Sequence, residues 1–156
     1  MRIVLDTNVL IDGFQDEYSA EARLIDAVRE GAVTAIASPK TIKEYQLILR
    51  RLIADQEYRS KIHEFLSMVE EAEPEYVDVV LDDEEDLKFL EAAVGGEADV
   101  VITSDRHLLD VGEADGVRII TPEEAARRLD DELGGTGEWQ GILEGWGISA
   151  HDDKEL

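Results

Sequence analysis

The chain has 156 residues, the length of one ordinary domain, and its 44% apolar content is enough for a proper core. It carries 38 acidic against 15 basic residues, a formal net charge of −23, and no cysteine. This excludes a disulfide framework, a thiol nucleophile and a cysteine-based zinc site, and such a surface repels nucleic acid and anionic membranes in ordinary salt.

The chain opens on an apolar run, Ile3 to Ile11, interrupted by Asp6, Thr7 and Asn8. A continuous apolar run suits a strand buried on both faces, so a strand over 3–11 is expected. An unpaired carboxylate inside such a strand is very costly, so Asp6 belongs at its C-terminal end, held by something such as a metal. A polar turn, Asp12 to Tyr18, follows. Ser19 caps a helix to Glu30 with Leu24, Ile25 and Val28 inward and Gly31 as its stop. Residues 33–37 read as a short strand. Ser38-Pro39 starts a helix to about Ile53, with serine as cap and proline at the first helical position. A further helix is expected over 56–72, with Ile62, Phe65, Leu66 and Val69 at helical spacing, then a strand from Val77 to Leu81. The acid run Asp82 to Asp86 suits a helix N-terminus, where carboxylates meet the positive end of the dipole. That helix continues through the stripe Leu87, Leu90, Ala93 and Val94 to Gly95-Gly96. Strand 99–103, a short helix near His107 and a strand from Val117 to Ile120 come next. Thr121-Pro122-Glu123-Glu124 is a capping box opening a helix to about Leu133. The glycine-rich stretch 134–137 ends the pattern. The alternation predicts an α/β domain over 1–133 with a mostly parallel sheet flanked by helices, and a tail, 134–156, that is loosely ordered or a docking segment.

Ligands in such sheets bind beyond the carboxyl ends of the strands, where Asp6 and Asp105 both fall. Either aspartate alone could be a helix cap or turn former, and Asp105 could cap the helix at His107. Glu44 points away from the core face of its helix (Ile42, Tyr45, Ile48, Leu49, Leu52, Ile53), towards Lys40, Lys43, Arg50 and Arg51. The plainer reading is a solvated face with a Lys40–Glu44 pair, worth a few tenths of a kcal/mol. Asp83 and Asp86 both border an inward stripe, and spacing does not choose between them. A carboxylate cluster without histidine or cysteine selects Mg²⁺ or Mn²⁺, and without metal its members raise one another's pKa. A cation there polarises a phosphodiester, so metal-dependent phosphodiester hydrolysis is the chemistry expected. His63, His107 and His151 show no ligand spacing.

The motifs Val4-Leu5-Asp6-Thr7-Asn8-Val9-Leu10, Ser38-Pro39 with Glu44, Asp86 to Ala92, and Ala98 to Asp105 with Leu108-Leu109 occur together. On these the chain resembles the PIN-domain ribonucleases over about residues 1–125, specifically the small single-domain toxins of toxin–antitoxin pairs. The resemblance implies a three-layer PIN-like fold and an acidic quartet at Asp6, Glu44, Asp86 and Asp105, which prefers Asp86 to Asp83. It implies supporting hydroxyl or amide groups at Thr7, Asn8 and Ser104, with Asn8 orienting Asp6 or simply capping the strand end. It further implies Mg²⁺- or Mn²⁺-dependent cleavage of single-stranded RNA, leaving a 5′-phosphate and a 3′-hydroxyl, a homodimer, and a cognate antitoxin that blocks the groove. The strong acidity is unusual for an enzyme acting on RNA. Segment 40–61 answers it in part, with Lys40, Lys43, Arg50, Arg51, Arg59 and Lys61 against Glu44, Asp55 and Glu57, locally +3. Lys40, Lys43, Arg50 and Arg51 are the candidate RNA contacts, against a helix merely balanced for solubility. Residues 134–156 match nothing in the family; Trp139 and Trp146 there could stack on bases, pack or dock a partner.

Other readings are weaker. A haloacid-dehalogenase-type phosphatase needs a second aspartate two residues after the first, and Asn8 stands there, unable to shuttle a proton. It also needs a lysine near the site, and spacing does not place Lys88 there. A response-regulator receiver wants a lysine near its last strand, and Val117 to Pro122 offers none. A non-catalytic partner-binding module would not need all four acids. Only five lysines (Lys40, Lys43, Lys61, Lys88, Lys154) accompany the acidity, which suits a salt-rich cytoplasm. At about 1 M salt the Debye length is about 3 Å and self-repulsion is screened. No apolar run approaches the roughly 18 residues of a membrane helix, and no signal peptide is visible ahead of the first strand, so a cytoplasmic location is expected.

Overall fold

The computed structural model describes residues 1–52 and 56–135. Strands β1 (Arg2–Leu5), β2 (Thr34–Ala37), β3 (Glu70–Glu71), β4 (Val100–Ile102), β5 (Glu113–Ala114) and β6 (Val117–Ile120) form one sheet in the order β3-β2-β1-β4-β6-β5. All neighbours are parallel except β5, which pairs antiparallel with β6. The helices are α1 (Thr7–Gln15), α2 (Ala20–Arg29), α3 (Pro39–Leu52), α4 (Gln56–Met68), α5 (Leu87–Gly95), α6 (Arg106–Val111) and α7 (Pro122–Gly135). The three-layer α/β architecture expected from the sequence is therefore present.

The central strands are apolar on both faces because both are covered. Ile3 and Leu5 of β1, with Val100 and Ile102 of β4, join a core containing Leu10, Leu24, Val28, Tyr45, Phe65 and Leu129. Their alternates Val4 and Val101 join a second core with Phe89, Leu90, Leu108 and Ile119. A Phe14–Phe65 edge-to-face contact, 6.2 Å between centroids, ties α1 to α4 and contributes about 0.5–1.5 kcal/mol.

Several boundaries differ from the sequence reading. The first strand ends at Leu5, and Val9, Leu10 and Ile11 belong to α1. The Asp6 carboxylate accepts the Asn8 amide, 3.1 Å, and so converts the run from strand to helix. Val9, Leu10, Gly13 and Phe14 are then buried at helical spacing. The helix over 56–72 stops at Met68, and Glu70–Glu71 becomes the edge strand β3 beside β2. With that edge taken, Val77 to Leu81 forms no strand. It lies against α5, where the Glu75 amide bonds Glu91 O at 3.0 Å and Val77 and Leu81 complete the second core. This cover also buries Phe89 and Ala92, which the expected stripe omitted. The α5 stripe meets the segment closely: a Cβ on Gly95 would lie 1.8 Å from Glu73 O. Strand β5 was not expected, and α7 runs through Gly135 rather than stopping at Leu133. The Ser19, Ser38 and Thr121 caps form as read, each hydroxyl accepting a backbone amide at 3.0–3.2 Å. Ile53, Asp55 and all of 136–156, with Trp139, Trp146 and His151, lie outside the described residues.

Candidate active site

The parallel pairing of β1 with β4 sets Leu5 beside Ile102 and ends both strands at one edge. The Asp6 amide continues the ladder to Ile102 O at 3.0 Å, and the Asp6 side chain, 5% exposed, turns into the gap beyond the strands. Its two oxygens are separately held. Oδ1 accepts the Asn8 amide at 3.1 Å, and Oδ2 accepts the Thr103 hydroxyl at 2.7 Å. Burial pushes the Asp6 carboxyl above its ordinary pKa. The Thr103 and Asn8 hydrogen bonds pull it back, and the charges of Asp105 and Glu44 push it up again.

Thr103 is fully buried, and its hydroxyl also accepts the Asp105 amide at 3.0 Å. One side chain thus links the two strand-end aspartates. Asp105 Oδ1 accepts the His107 amide at 2.9 Å and caps α6, so the capping role read from the sequence is real and sits alongside its place among the acids. Asp86 enters from the one-turn 3₁₀ helix Glu84–Asp86 ahead of α5. Burial first, then the charge of Asp105 and a hydrogen bond to it, then the charges of Asp83 and Asp6, push the Asp86 carboxyl up to about 6. Asp83 does something different: its side chain accepts the Glu85 amide at 3.0 Å and caps the turn.

Glu44 reaches the same cluster from α3. Its Oε2 accepts the Thr7 hydroxyl at 2.7 Å, and its Oε1 meets the Lys88 ammonium at 2.7 Å. The Lys40–Glu44 pair does not form: Lys40 lies 3.5 Å from Glu85. Lys88 is 14% exposed, lies 3.6 Å from Glu85 and packs over the Phe89 ring. The sequence reading left Lys88 off the site, and the structure corrects it. Its local ion-pair partner is Glu85, three residues earlier on the same helix face. Tyr45, one residue after Glu44, is buried and donates its hydroxyl to Leu5 O at the end of β1. Desolvation and the charges of Asp6 and Glu44 push its pKa well above the usual tyrosine value, so it remains a neutral donor.

Asp6 therefore feels the charges of Asp105 and Glu44, and Asp86 those of Asp105 and Asp6, so the four acids are linked through Asp6 from four elements. The supporting roles differ from those expected. Asn8 holds Asp6 through its backbone amide and its side chain is exposed; Thr7 serves Glu44; Ser104 is exposed. Thr103, unremarked in the sequence, holds Asp6. Lys43, Arg50 and Arg51 are exposed on α3 and make no ion pair among the described residues. His107 is an exposed helix-start residue, 3.6 Å from Asp82. Among the described residues no three acidic or imidazole groups form a ready-made metal cage. The donor chemistry nevertheless fits a hard cation. The donors are all oxygen and repel one another, and Mg²⁺ needs only one or two carboxylates, keeping waters in its remaining positions.

Comparisons with known proteins bear on this geometry. No curated protein matches the chain. Among solved structures it is similar to a chain of the crystal structure of VapBC2 from Rickettsia felis bound to a DNA fragment from their promoter. The TM-score is 0.52 at 14% identity, covering 78% of this chain and 98% of that one, a likeness of fold. A sequence profile described as PIN domain matches residues 2–107, which include Asp6, Glu44, Asp86 and Asp105. With more than half of its length so matched, the chain belongs to the PIN domain family.

Proposed function

We propose that the protein is a divalent-metal-dependent endoribonuclease that hydrolyses phosphodiester bonds of single-stranded RNA, and that it is the toxin of a toxin–antitoxin pair. The observation that supports this most is the cluster itself: burial first, then the charges of Asp105, Asp83 and Asp6, push the Asp86 carboxyl up to about 6, and a bound cation relieves that cost. A bound Mg²⁺ or Mn²⁺ supplies Lewis-acid polarisation of the phosphodiester and an activated water. The chain's own residues prepare that site. Thr103 and the Asn8 amide fix both Asp6 oxygens. The α6 amide of His107 fixes Asp105. Thr7 and Lys88 hold Glu44 at the rim and offset its charge. Lys40, Lys43, Arg50 and Arg51 are positioned on α3 to meet the RNA backbone, giving contacts that fall with rising salt. With an activated water rather than the RNA 2′-hydroxyl as nucleophile, and the 3′-oxygen as leaving group, the products would be a 5′-phosphate and a 3′-hydroxyl.

The toxin role draws on the family and on the VapBC2 structure that shares the fold. It carries a cognate antitoxin, a homodimer and a cytoplasmic location. The test is Asp6→Asn and Asp105→Asn, each assayed on single-stranded RNA with Mg²⁺. Both are expected to lose cleavage with an unchanged circular dichroism spectrum, and cleavage retained by either folded variant refutes the assignment. Release of inorganic phosphate from small monoesters would point to a phosphatase instead.

A further inference from the structure

One cation is already built into the acid cluster. The Lys88 side chain is 14% exposed, and lysines are almost never so enclosed unless paired. Its ammonium lies 2.7 Å from Glu44 Oε1, 3.6 Å from Glu85 Oε2 and 5.2 Å from the centre of the Phe89 ring. Glu85 in turn lies 3.5 Å from Lys40. The run Lys40–Glu85–Lys88–Glu44–Thr7 therefore ties α3 and α1 to the start of α5. Removing one partner of so enclosed a pair strands the other charge, which holds Lys88 and Glu44 together.

The pair divides the acids. The Asp86 carboxyl hydrogen-bonds Asp105, and Thr103 joins Asp105 to Asp6. Glu44 makes neither link: its Oε1 goes to Lys88 and its Oε2 to Thr7, so a donor already occupies each oxygen. Hydrolases that use two divalent ions set them about 3.5–4 Å apart, to stabilise both the attacking and the leaving oxygen. A second ion here would need a carboxylate of its own. The acid outside the Asp6, Asp105 and Asp86 group is the one already neutralised by an ammonium.

We infer that Lys88 stands in for a second divalent ion: Glu44 anchors this lysine rather than a metal, and the chain takes one divalent ion, on the group Asp6, Asp86 and Asp105. This rests on the metal-dependent reading above and refines it. One or two carboxylates suffice for Mg²⁺, so the group does not need Glu44. An ammonium has three N–H donors; Glu44 takes one, and Glu85 at 3.6 Å is beyond hydrogen-bond length. A donor is left to meet a phosphate oxygen, the task a second ion would perform.

The test counts ions and asks what Glu44 does. Mn²⁺ binding is followed by calorimetry and by the paramagnetic resonance of free Mn²⁺, in 0.5 M KCl to screen diffuse uptake by the acidic surface. The parent chain is expected to bind one Mn²⁺, and Lys88→Arg to keep that count. Lys88→Met frees Glu44 and should raise the count to two. Glu44→Gln leaves an unpaired ammonium near the ion and should weaken binding about tenfold. Adding Lys88→Met to Glu44→Gln removes that charge and should restore affinity to within about threefold of the parent, a coupling that a purely structural ion pair would not produce. Two ions in the parent overturn the inference, as does a count that stays at one in Lys88→Met. Affinity that remains tenfold or more below the parent in the double variant makes Glu44 a ligand and overturns it too. If a substitution unfolds the chain, the parent count alone decides. A parent that binds no Mn²⁺ refutes the metal-dependent reading itself, an outcome distinct from all of these.

Discussion

Replacing Asp86 by asparagine should make the metal-free protein more stable. The folded protein holds the Asp86 carboxyl at about 6 against an ordinary 3.8. A folded-state pKa raised above the unfolded one means that the native state binds the extra proton. Stability from this group is therefore present at low pH and is lost as the pH rises from about 4 to about 6. The full shift of about 2 units corresponds to about 3 kcal/mol at neutral pH. Asp86 is partly exposed, and solvent screening reduces this to about 1–2 kcal/mol. For a domain of this size that is a rise of about 2–8 °C in Tm. The assay is thermal unfolding of parent and Asp86→Asn in EDTA at pH 5, 6 and 7.5. The variant's advantage should grow from pH 5 to 7.5, and added Mg²⁺ should stabilise the parent more than the variant. An Asp86→Asn that is destabilised equally at all three pH values would refute the reasoning, because the carboxyl would then be a structural partner rather than one of several repelling acids.

Thr103→Val removes the hydroxyl that serves both Asp6 and Asp105. It should cost about 1.5–3 kcal/mol by urea unfolding at neutral pH and weaken Mg²⁺ binding measured by calorimetry. Tyr45→Phe strands the Leu5 carbonyl in the core and should cost about 1–3 kcal/mol in the same assay while leaving cleavage largely intact. Gly95→Ala drives a methyl into Glu73 O and should destabilise by about 1–3 kcal/mol, with hydrogen-exchange protection falling first across 72–81. Raising KCl from 0.1 M to 2 M should increase Tm, because 38 acids repel across the surface; maximal stability in dilute buffer would remove the salt-adapted reading.

The elements best read from sequence were those fixed by local chemistry. Ser19, Ser38 and Thr121 cap helices with their own hydroxyls, and Val100 to Ile102 is apolar at every position because both sheet faces are covered. The misreadings arose where a distant partner decides. Val9 to Ile11 has an apolar content that suits strand or helix equally, and one Asp6 hydrogen bond settles it. Val77 to Leu81 reads as a strand, but its place in the sheet is taken by Glu70–Glu71, two residues that carry no strand signal of their own. Asp6 and Asp105 were legible as strand-end residues, a local feature, whereas Glu44 and the choice of Asp86 over Asp83 came from the family resemblance and not from spacing. The supports of the acids were not legible: Thr103 sits 97 residues from Asp6, and Lys88 sits 44 from Glu44, so nothing in spacing joins them.

The central claim is that the acid cluster works only as a cation-dependent cutter of RNA. Its most direct test is incubation of a single-stranded RNA with the purified chain in Mg²⁺, in Mn²⁺ and in EDTA, with both product ends mapped. The account predicts internal cuts bearing 5′-phosphate and 3′-hydroxyl ends in either metal and none in EDTA. Cleavage that persists in EDTA, or that leaves a 2′,3′-cyclic phosphate, would contradict it.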